Sequence, residues 1–206
     1  FYLDILKDRL YTSPPQSTAR KSAQTVLYAT VDAIARLMAP ILPFTSDEIW
    51  RFMPAGDGRH HSIHLVPLPE MSAELKDDAL AQRWEFLLKV RGEATKALET
   101  ARAQKLIGHP LDAAVTVSAQ GESYDKLLPF AADLRSLLIV SQASLVKDEA
   151  LEGAFRSEEL EGLLIGVTRA AGDKCERCWV HDTTVGRFSE QPTICQRCKD
   201  ALDQVK

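Results

Sequence analysis

The sequence has no cysteine outside residues 175 to 198 and no long apolar run. Charge or proline interrupts every apolar stretch within a few residues, whereas a membrane helix needs roughly 20 apolar residues in succession. A strong charge of one sign is also missing, because the net charge at pH 7 is −4. We therefore expect a soluble chain with no membrane partner. Any binding to nucleic acid would depend on a local basic patch rather than on the net charge of the chain.

The given residues show no pattern of a leader sequence and no internal repeats. The chain starts with Phe1 rather than Met, and residues 1–7 already have the pattern of a helix interior. No charged n-region, cleavage site or low-complexity tract is visible. We therefore expect a fragment of a longer protein.

Two long stretches have the periodicity of amphipathic helices. In the first, residues 17–39, apolar residues recur at three- and four-residue steps behind a potential N-cap, Ser17. The second runs from about residue 72 to 107. A shorter helix with the capping box Thr45-x-x-Glu48 is predicted between them.

The pattern changes after residue 111. Residues 113–119 alternate like a β-strand, and residues 140–146 and 163–172 look extended. Residues 123–138 resemble a short helix. This region therefore predicts a small α+β unit.

The cysteines form two Cys-x-x-Cys pairs, separated by residues 179–194. Cys175 and Cys178 make the first pair, and Cys195 and Cys198 make the second. Each turn offers two sulfurs to one metal ion, and two turns complete the tetrahedral shell that Zn²⁺ prefers. Because no coordination position stays open, the sequence predicts one structural Zn²⁺ rather than a catalytic one.

Disulfides and a redox-active Cys-x-x-Cys are the alternatives. The duplicated spacing, the lack of a secretory signal and the lack of a preceding thioredoxin-like βαβ pattern favour metal. His181 is interpreted as a loop residue, because four thiolates already fill the shell. The predicted fold is mainly α: an antiparallel helical bundle (1–110), a small α+β unit (111–172) and a terminal four-cysteine zinc ribbon (173–206).

Cations and aromatic residues are interleaved around the cysteines. The aromatic residues are Trp179 and Phe188, and the cations are Lys174, Arg177, Arg187, Arg197 and Lys199. Such a loop can stack on single-stranded bases and clamp their phosphates. Alternatively, the cations only neutralise the thiolates and the aromatic residues fill a small core. The sequence leaves both interpretations open.

Several stretches resemble the class Ia aminoacyl-tRNA synthetases. "FYLDILKDRLYT" and "STARKSAQTVLYATVDAIARLMAPILPFTSDEIW" are similar to their anticodon-binding helical domain. "LKVRGEATKALETARAQKLIGHPLDAAV" looks like the stretch that follows it, and "GDKCERCWVH" with "PTICQRC" resembles the terminal zinc peptide of bacterial-type isoleucyl-tRNA synthetase. Valyl and leucyl enzymes end differently, so the four-cysteine tail selects the isoleucine family.

The resemblance implies that the parent is a cytoplasmic, monomeric ligase that attaches isoleucine to its tRNA with ATP. Its catalytic and editing domains are expected on the N-terminal side of these residues, so this chain itself has no catalytic residues. "LIGHP" (106–110) is only superficially like the family's HIGH motif, because Gly108 is interpreted as a helix cap, and no KMSKS-like segment occurs.

The implied partner is isoleucine-specific tRNA, held by its anticodon arm. Candidate phosphate contacts around one helix-turn-helix junction are Lys7, Arg9, Arg20 and Lys21. Further candidates in the zinc segment are Arg177, Trp179, Arg187, Arg197 and Lys199. A solvated charged face is the alternative interpretation of the first set. The zinc ribbon is expected to fold onto the anticodon arm or to brace the bundle.

Two other classes share the cysteine spacing. The zinc finger of formamidopyrimidine-DNA glycosylases grips duplex DNA, but that family needs an N-terminal proline nucleophile and a helix-two-turn-helix, neither of which is visible. A structural zinc ribbon that binds only protein is the third possibility. Neither accounts for residues 1–50.

Overall fold

The computed structural model describes residues 1–54, 56, 58–70 and 75–205. It divides into two compact units. The larger one combines Phe1–Thr12 with Asp77–Lys206, and the smaller one is Ser13–Lys76. The larger unit is therefore built from two separate stretches of the chain.

The smaller unit is a helical pair. Its helices are α2 (Thr18–Met38) and α3 (Pro43–Phe52). The Ser17 side chain accepts a hydrogen bond from the backbone N–H of Arg20, which confirms the predicted N-cap of α2. Helix α3 begins with its proline rather than at the predicted Thr45 cap. Proline suits the first helical turn because its missing N–H has no partner there.

The smaller unit has its own apolar core around Trp50, which is 6% exposed. The indole N–H of Trp50 donates to the His60 carbonyl at 2.9 Å. The guanidinium of Arg59 lies 3.7 Å from the centre of the indole ring and donates to the Trp50 carbonyl. Ala35, Ala39, Met53 and Ile63 complete this core.

Within the described residues, the larger unit combines five α-helices with two sheets. The helices are α1 (Tyr2–Thr12), α4 (Asp78–Ala103), α5 (Gly121–Leu127), α6 (Leu134–Leu138) and α7 (Gln196–Asp203). The strands are β1 (Ala113–Ala119), β2 (Gln142–Lys147), β3 (Phe155–Arg156), β4 (Leu164–Arg169), β5 (Asp173–Lys174) and β6 (His181–Asp182).

The main sheet is mixed, with strand order β2-β1-β4-β3. Strand β1 runs parallel to β2 and antiparallel to β4, so that Val117 lies between Leu145 and Ile165. Parallel neighbours require a crossover connection. Helices α5 and α6 provide it, with a 3-10 segment at Leu128–Asp133 between them. Strands β5 and β6 form a separate hairpin.

The predicted fold class is wrong. It was a mainly α chain in which residues 1–110 form one antiparallel helical bundle. Helix α4 packs against β4 and α6 within the larger unit, while α2 and α3 belong to the smaller one. In the core of the larger unit, small apolar residues of α4 pack with buried side chains of the sheet. Val115 and Ile165 are two of these sheet residues. Periodicity reveals an apolar helix face, but it does not reveal whether a helix or a sheet covers that face.

The ends of α4 also differ from prediction. The predicted start at residues 72–74 lies outside the described residues, and α4 begins at Asp78 behind the N-cap Asp77. Helix α4 ends at Ala103. Lys105 then adopts a left-handed conformation with a φ of +59°, and the Leu106 N–H donates back to the Ala101 carbonyl. Gly108 is therefore not the cap. Within the described part of the chain, no helix has the length and apolar character for crossing a bilayer.

Candidate metal centre and nucleic-acid interface

The first cysteine pair lies in the tight connection between β5 and β6. The Cys175 N–H donates to the Val180 carbonyl at 2.9 Å, and the Trp179 N–H donates to the Cys175 carbonyl at 2.8 Å. Trp179 closes the turn with a φ of +64°. Just before β5, a Cβ on Gly172 would lie 2.3 Å from the backbone of Asp182, so only glycine allows this close approach.

The second pair opens helix α7, with Cys195 at the N-cap position. The Cys195 N–H donates to the Cys175 sulfur at 3.3 Å, which links the two turns directly. N–H donors of this kind stabilise thiolate charge and orient metal ligands.

The four sulfur atoms all lie within 4.8 Å of one another. The Cys178 and Cys195 sulfurs are 3.7 Å apart. Ligands at about 2.3 Å from a tetrahedral zinc are roughly 3.8 Å apart, so this spacing fits zinc with little rearrangement. Cys175, Cys195 and Cys198 are buried, and Ile194 packs beside them. The four thiols therefore suit a closed structural Zn²⁺ site.

Hydrogen bonds and burial shift the pKa values of the Cys178, Cys195 and Cys198 thiols. The hydrogen bond from Cys198 lowers the pKa of Cys178 to about 4, with further donation from the Val180 N–H and the Arg197 guanidinium. Burial raises the pKa of Cys195 to about 11. The hydrogen bond with Cys178 raises the pKa of Cys198. Both effects favour the protonated forms of Cys195 and Cys198, and a bound cation would replace those protons.

Two of the predicted tRNA contacts, Arg177 and Arg197, lie against the last turn of α1. Arg177 donates to the Thr12 carbonyl at 2.8 Å, and Arg197 donates to both carboxylate oxygens of Asp8 at 2.5 and 2.8 Å. Sequence reasoning missed Asp8, because nothing in its own neighbourhood connects it with a cysteine pair far along the chain.

Trp179 and Arg187 are exposed on the same segment. The Trp179 side chain is 62% exposed, and the Lys174 ammonium lies 5.8 Å from its ring centre. Phe188 is half-buried, with the Lys199 ammonium 5.7 Å from its ring centre. Of these two aromatic residues, Trp179 is therefore the more accessible to a ligand.

The remaining candidates are divided between the two units. Lys7 and Arg9 lie on α1 of the larger unit, and Arg20 and Lys21 lie at the start of α2 in the smaller unit. Lys7 is exposed and pairs with Asp4 at 2.8 Å. His181 lies on β6 and outside the cysteine cluster, so its interpretation as a loop residue is wrong.

Two family models match this chain. Residues 1–117 match the model described as "Anticodon-binding domain of tRNA ligase". Residues 172–201 match "Zinc finger found in FPG and IleRS". The second match and the four clustered sulfurs confirm the prediction of one structural Zn²⁺. The first match favours the tRNA-ligase interpretation over a DNA glycosylase.

Curated isoleucine–tRNA ligases are similar along almost the whole chain. Identity is 43% over 206 residues for the protein of Moorella thermoacetica, covering 99% of this chain and 22% of that protein. It is 46% for Geobacter sulfurreducens and 47% for Syntrophotalea carbinolica, each over 203 residues, covering 98% of this chain and 22% of those proteins. The chain thus spans about a fifth of the length of these relatives.

Proposed function

We infer that this chain is the tRNA-recognition part of an isoleucine–tRNA ligase. The chain belongs to the anticodon-binding domain family of tRNA ligases. The observation that carries the inference is the order of two matches within one chain: an anticodon-binding domain followed by a zinc finger of the kind found in isoleucine enzymes. A DNA glycosylase would explain only the second of these matches.

Helix α1 and the start of α2 are each proposed to hold phosphates of the anticodon arm. Lys7, Arg9, Arg20 and Lys21 are the candidate contacts, and Lys7 and Lys21 are exposed. Phosphate contacts fix the position of a nucleic acid without reading its sequence, so these cations would supply affinity rather than selectivity.

The zinc segment is proposed to contribute stacking and further cations. Trp179 is exposed, and an unstacked anticodon base can stack on an exposed indole ring. Arg187 is exposed on the same segment, and Lys199 is half-buried. Arg177 and Arg197 stay candidates in this proposal, although both already bind α1.

The parent protein is proposed to attach isoleucine to its tRNA with ATP. The catalytic and editing domains would then belong to portions of the ligase outside this chain, and the cytoplasmic, monomeric state of the whole enzyme is part of the same proposal. The functional division into residues 1–110, 111–172 and 173–206 also remains a prediction.

Fluorescence anisotropy tests the proposal directly. The zinc-loaded chain is titrated against isoleucine tRNA, the same tRNA with altered anticodon bases, and a duplex DNA of equal charge, at two salt concentrations. We expect the intact anticodon to bind most tightly, and all affinities to weaken with salt.

Equal affinity for the two tRNAs would contradict anticodon recognition by this chain. Tighter binding to duplex DNA than to either tRNA would instead favour the glycosylase-like alternative. The salt dependence separates phosphate contacts, which all three ligands share, from base reading.

A further inference from the structure

The two cysteine turns have the same internal arrangement. Each places an arginine directly before its second cysteine, Arg177 in Cys-Glu-Arg-Cys and Arg197 in Cys-Gln-Arg-Cys. Both arginines reach the last turn of α1, more than 160 positions away in sequence.

Arg177 caps the C-terminal end of α1. One of its guanidinium nitrogens donates to the Thr12 carbonyl at 2.8 Å, and the other approaches the Tyr11 carbonyl at 3.4 Å. The last carbonyls of a helix have no partner within the helix, and an arginine supplies both donors and favourable charge there. The same nitrogen that binds Thr12 lies 3.5 Å from the Cys198 sulfur.

Arg197 makes the stronger contact. Its two nitrogens bind the two carboxylate oxygens of Asp8, which is the geometry of the strongest hydrogen-bonded ion pairs. The Thr12 hydroxyl donates to the same carboxylate at 2.9 Å, which holds Asp8 in place. Arg197 directly precedes the zinc ligand Cys198 in the second turn. Each guanidinium therefore links α1 to one of the two cysteine turns.

The other end of α1 is held independently of the cysteines. The Phe1 ring meets the Trp84 ring edge-on, with centroids 6.5 Å apart, and the Arg91 guanidinium lies 4.2 Å from the Phe1 ring centre. Leu6 is buried. The two arginines thus act on the last turn of α1, away from these contacts.

We propose that zinc binding and docking of the last turn of α1 are one coupled equilibrium, transmitted by Arg177 and Arg197. Four thiolates around one Zn²⁺ carry a net charge of −2, and the two guanidinium groups offset it from their positions against α1. When the metal orders the two cysteine turns, it fixes the positions of both arginine side chains against α1 at the same time. Because coupling is reciprocal, α1 in turn stabilises the bound metal.

The inference does not depend on tRNA, so it can fail while the proposed function stands.

Hydrogen exchange of the full chain, followed by mass spectrometry with and without zinc, tests one direction of the coupling. After chelation we expect the amides of the last turn of α1 to exchange at least about tenfold faster, while α4 and β1 keep their protection. Unchanged exchange in α1 would overturn the proposal. Equal loss of protection in α1, α4 and β1 would overturn it too, because the effect would then be general unfolding.

Zinc affinity, measured by competition with a chromophoric chelator, tests the other direction. Outer-shell changes commonly weaken metal binding by about 10 to 100-fold, and we expect at least tenfold for Arg197→Gln. Asp8→Asn should weaken binding by about fivefold or more through the coupling. The matched control is Asp4→Asn, an exposed residue of the same helix that pairs with Lys7. Equal affinities of the Asp8 and Asp4 variants would refute the coupling.

Discussion

The carboxylate of Glu93, on helix α4, accepts a hydrogen bond from the backbone N–H of Glu158 at 3.1 Å. The Glu93 side chain is only 1% exposed, and its other oxygen binds the Lys96 ammonium at 2.5 Å. This buried carboxylate therefore ties the segment after β3 to α4.

Glu93→Ala should lower the free energy of unfolding by about 2 kcal/mol or more, because it leaves the Glu158 N–H without its charged acceptor and empties a buried site. Urea denaturation of the wild type and variant measures the difference. Glu85→Ala is the control, since Glu85 is an exposed residue of the same helix, and it should change stability by less than about 0.5 kcal/mol. Equal effects of the two substitutions would contradict a structural role for Glu93.

The same carboxylate predicts a loss of stability in acid. Burial opposes its ionisation, but hydrogen bonds from Lys96, Ser157 and the Glu158 N–H outweigh burial and lower the pKa of Glu93 below its ordinary value of 4.5. A lowered folded-state pKa means that the stabilisation is fully present above the unfolded pKa and is lost as the pH falls through the folded one.

The stability difference between wild type and Glu93→Gln, measured in urea from about pH 6 down to about pH 3, should therefore shrink below about pH 4.5. Glutamine keeps the size of the side chain and cannot titrate there. A difference that stays constant across this range would show that ionised Glu93 contributes nothing to stability.

Removal of zinc should unfold the segment 175–198 while most helices survive, because closed zinc sites supply folding free energy. Limited trypsin digestion measures this, since Arg177, Arg187 and Arg197 lie within the segment. Cleavage there should accelerate after chelation and slow again when zinc is restored, with the helical circular dichroism largely retained. Loss of the whole helical signal in step with the zinc would contradict this prediction, because the unfolding would then extend well beyond the metal segment and the end of α1.

Trp179→Ala should weaken tRNA binding by about fivefold or more if a base stacks on the indole. Trp179→Phe keeps an aromatic face and should restore most of the affinity. Both variants should retain zinc, because the Trp179 side chain is 62% exposed and contributes no ligand. Wild-type affinity in both would rule out stacking at this position.

Features that depend only on residues close together in the sequence were predictable from it. The pattern of residues 113–119 matches strand β1 in full. The Cys-x-x-Cys spacing alone indicated a metal site, because two sulfurs on one turn are close whatever surrounds them. The predicted single helix at 123–138 was wrong, since it consists of α5, a 3-10 segment and α6. Pro129, which lacks an N–H, lies in the segment that separates the two helices.

The sequence by itself thus determined the cysteine cluster, the cap of α2 and the order of most helices and strands. Only the tertiary structure decided that α4 covers a sheet rather than a helical bundle, and that Arg197 meets Asp8. The physical reason is the range of each interaction. Periodicity, caps and ligand spacing act within a few residues, whereas the choice of partner depends on surfaces that become neighbours only after the chain has folded.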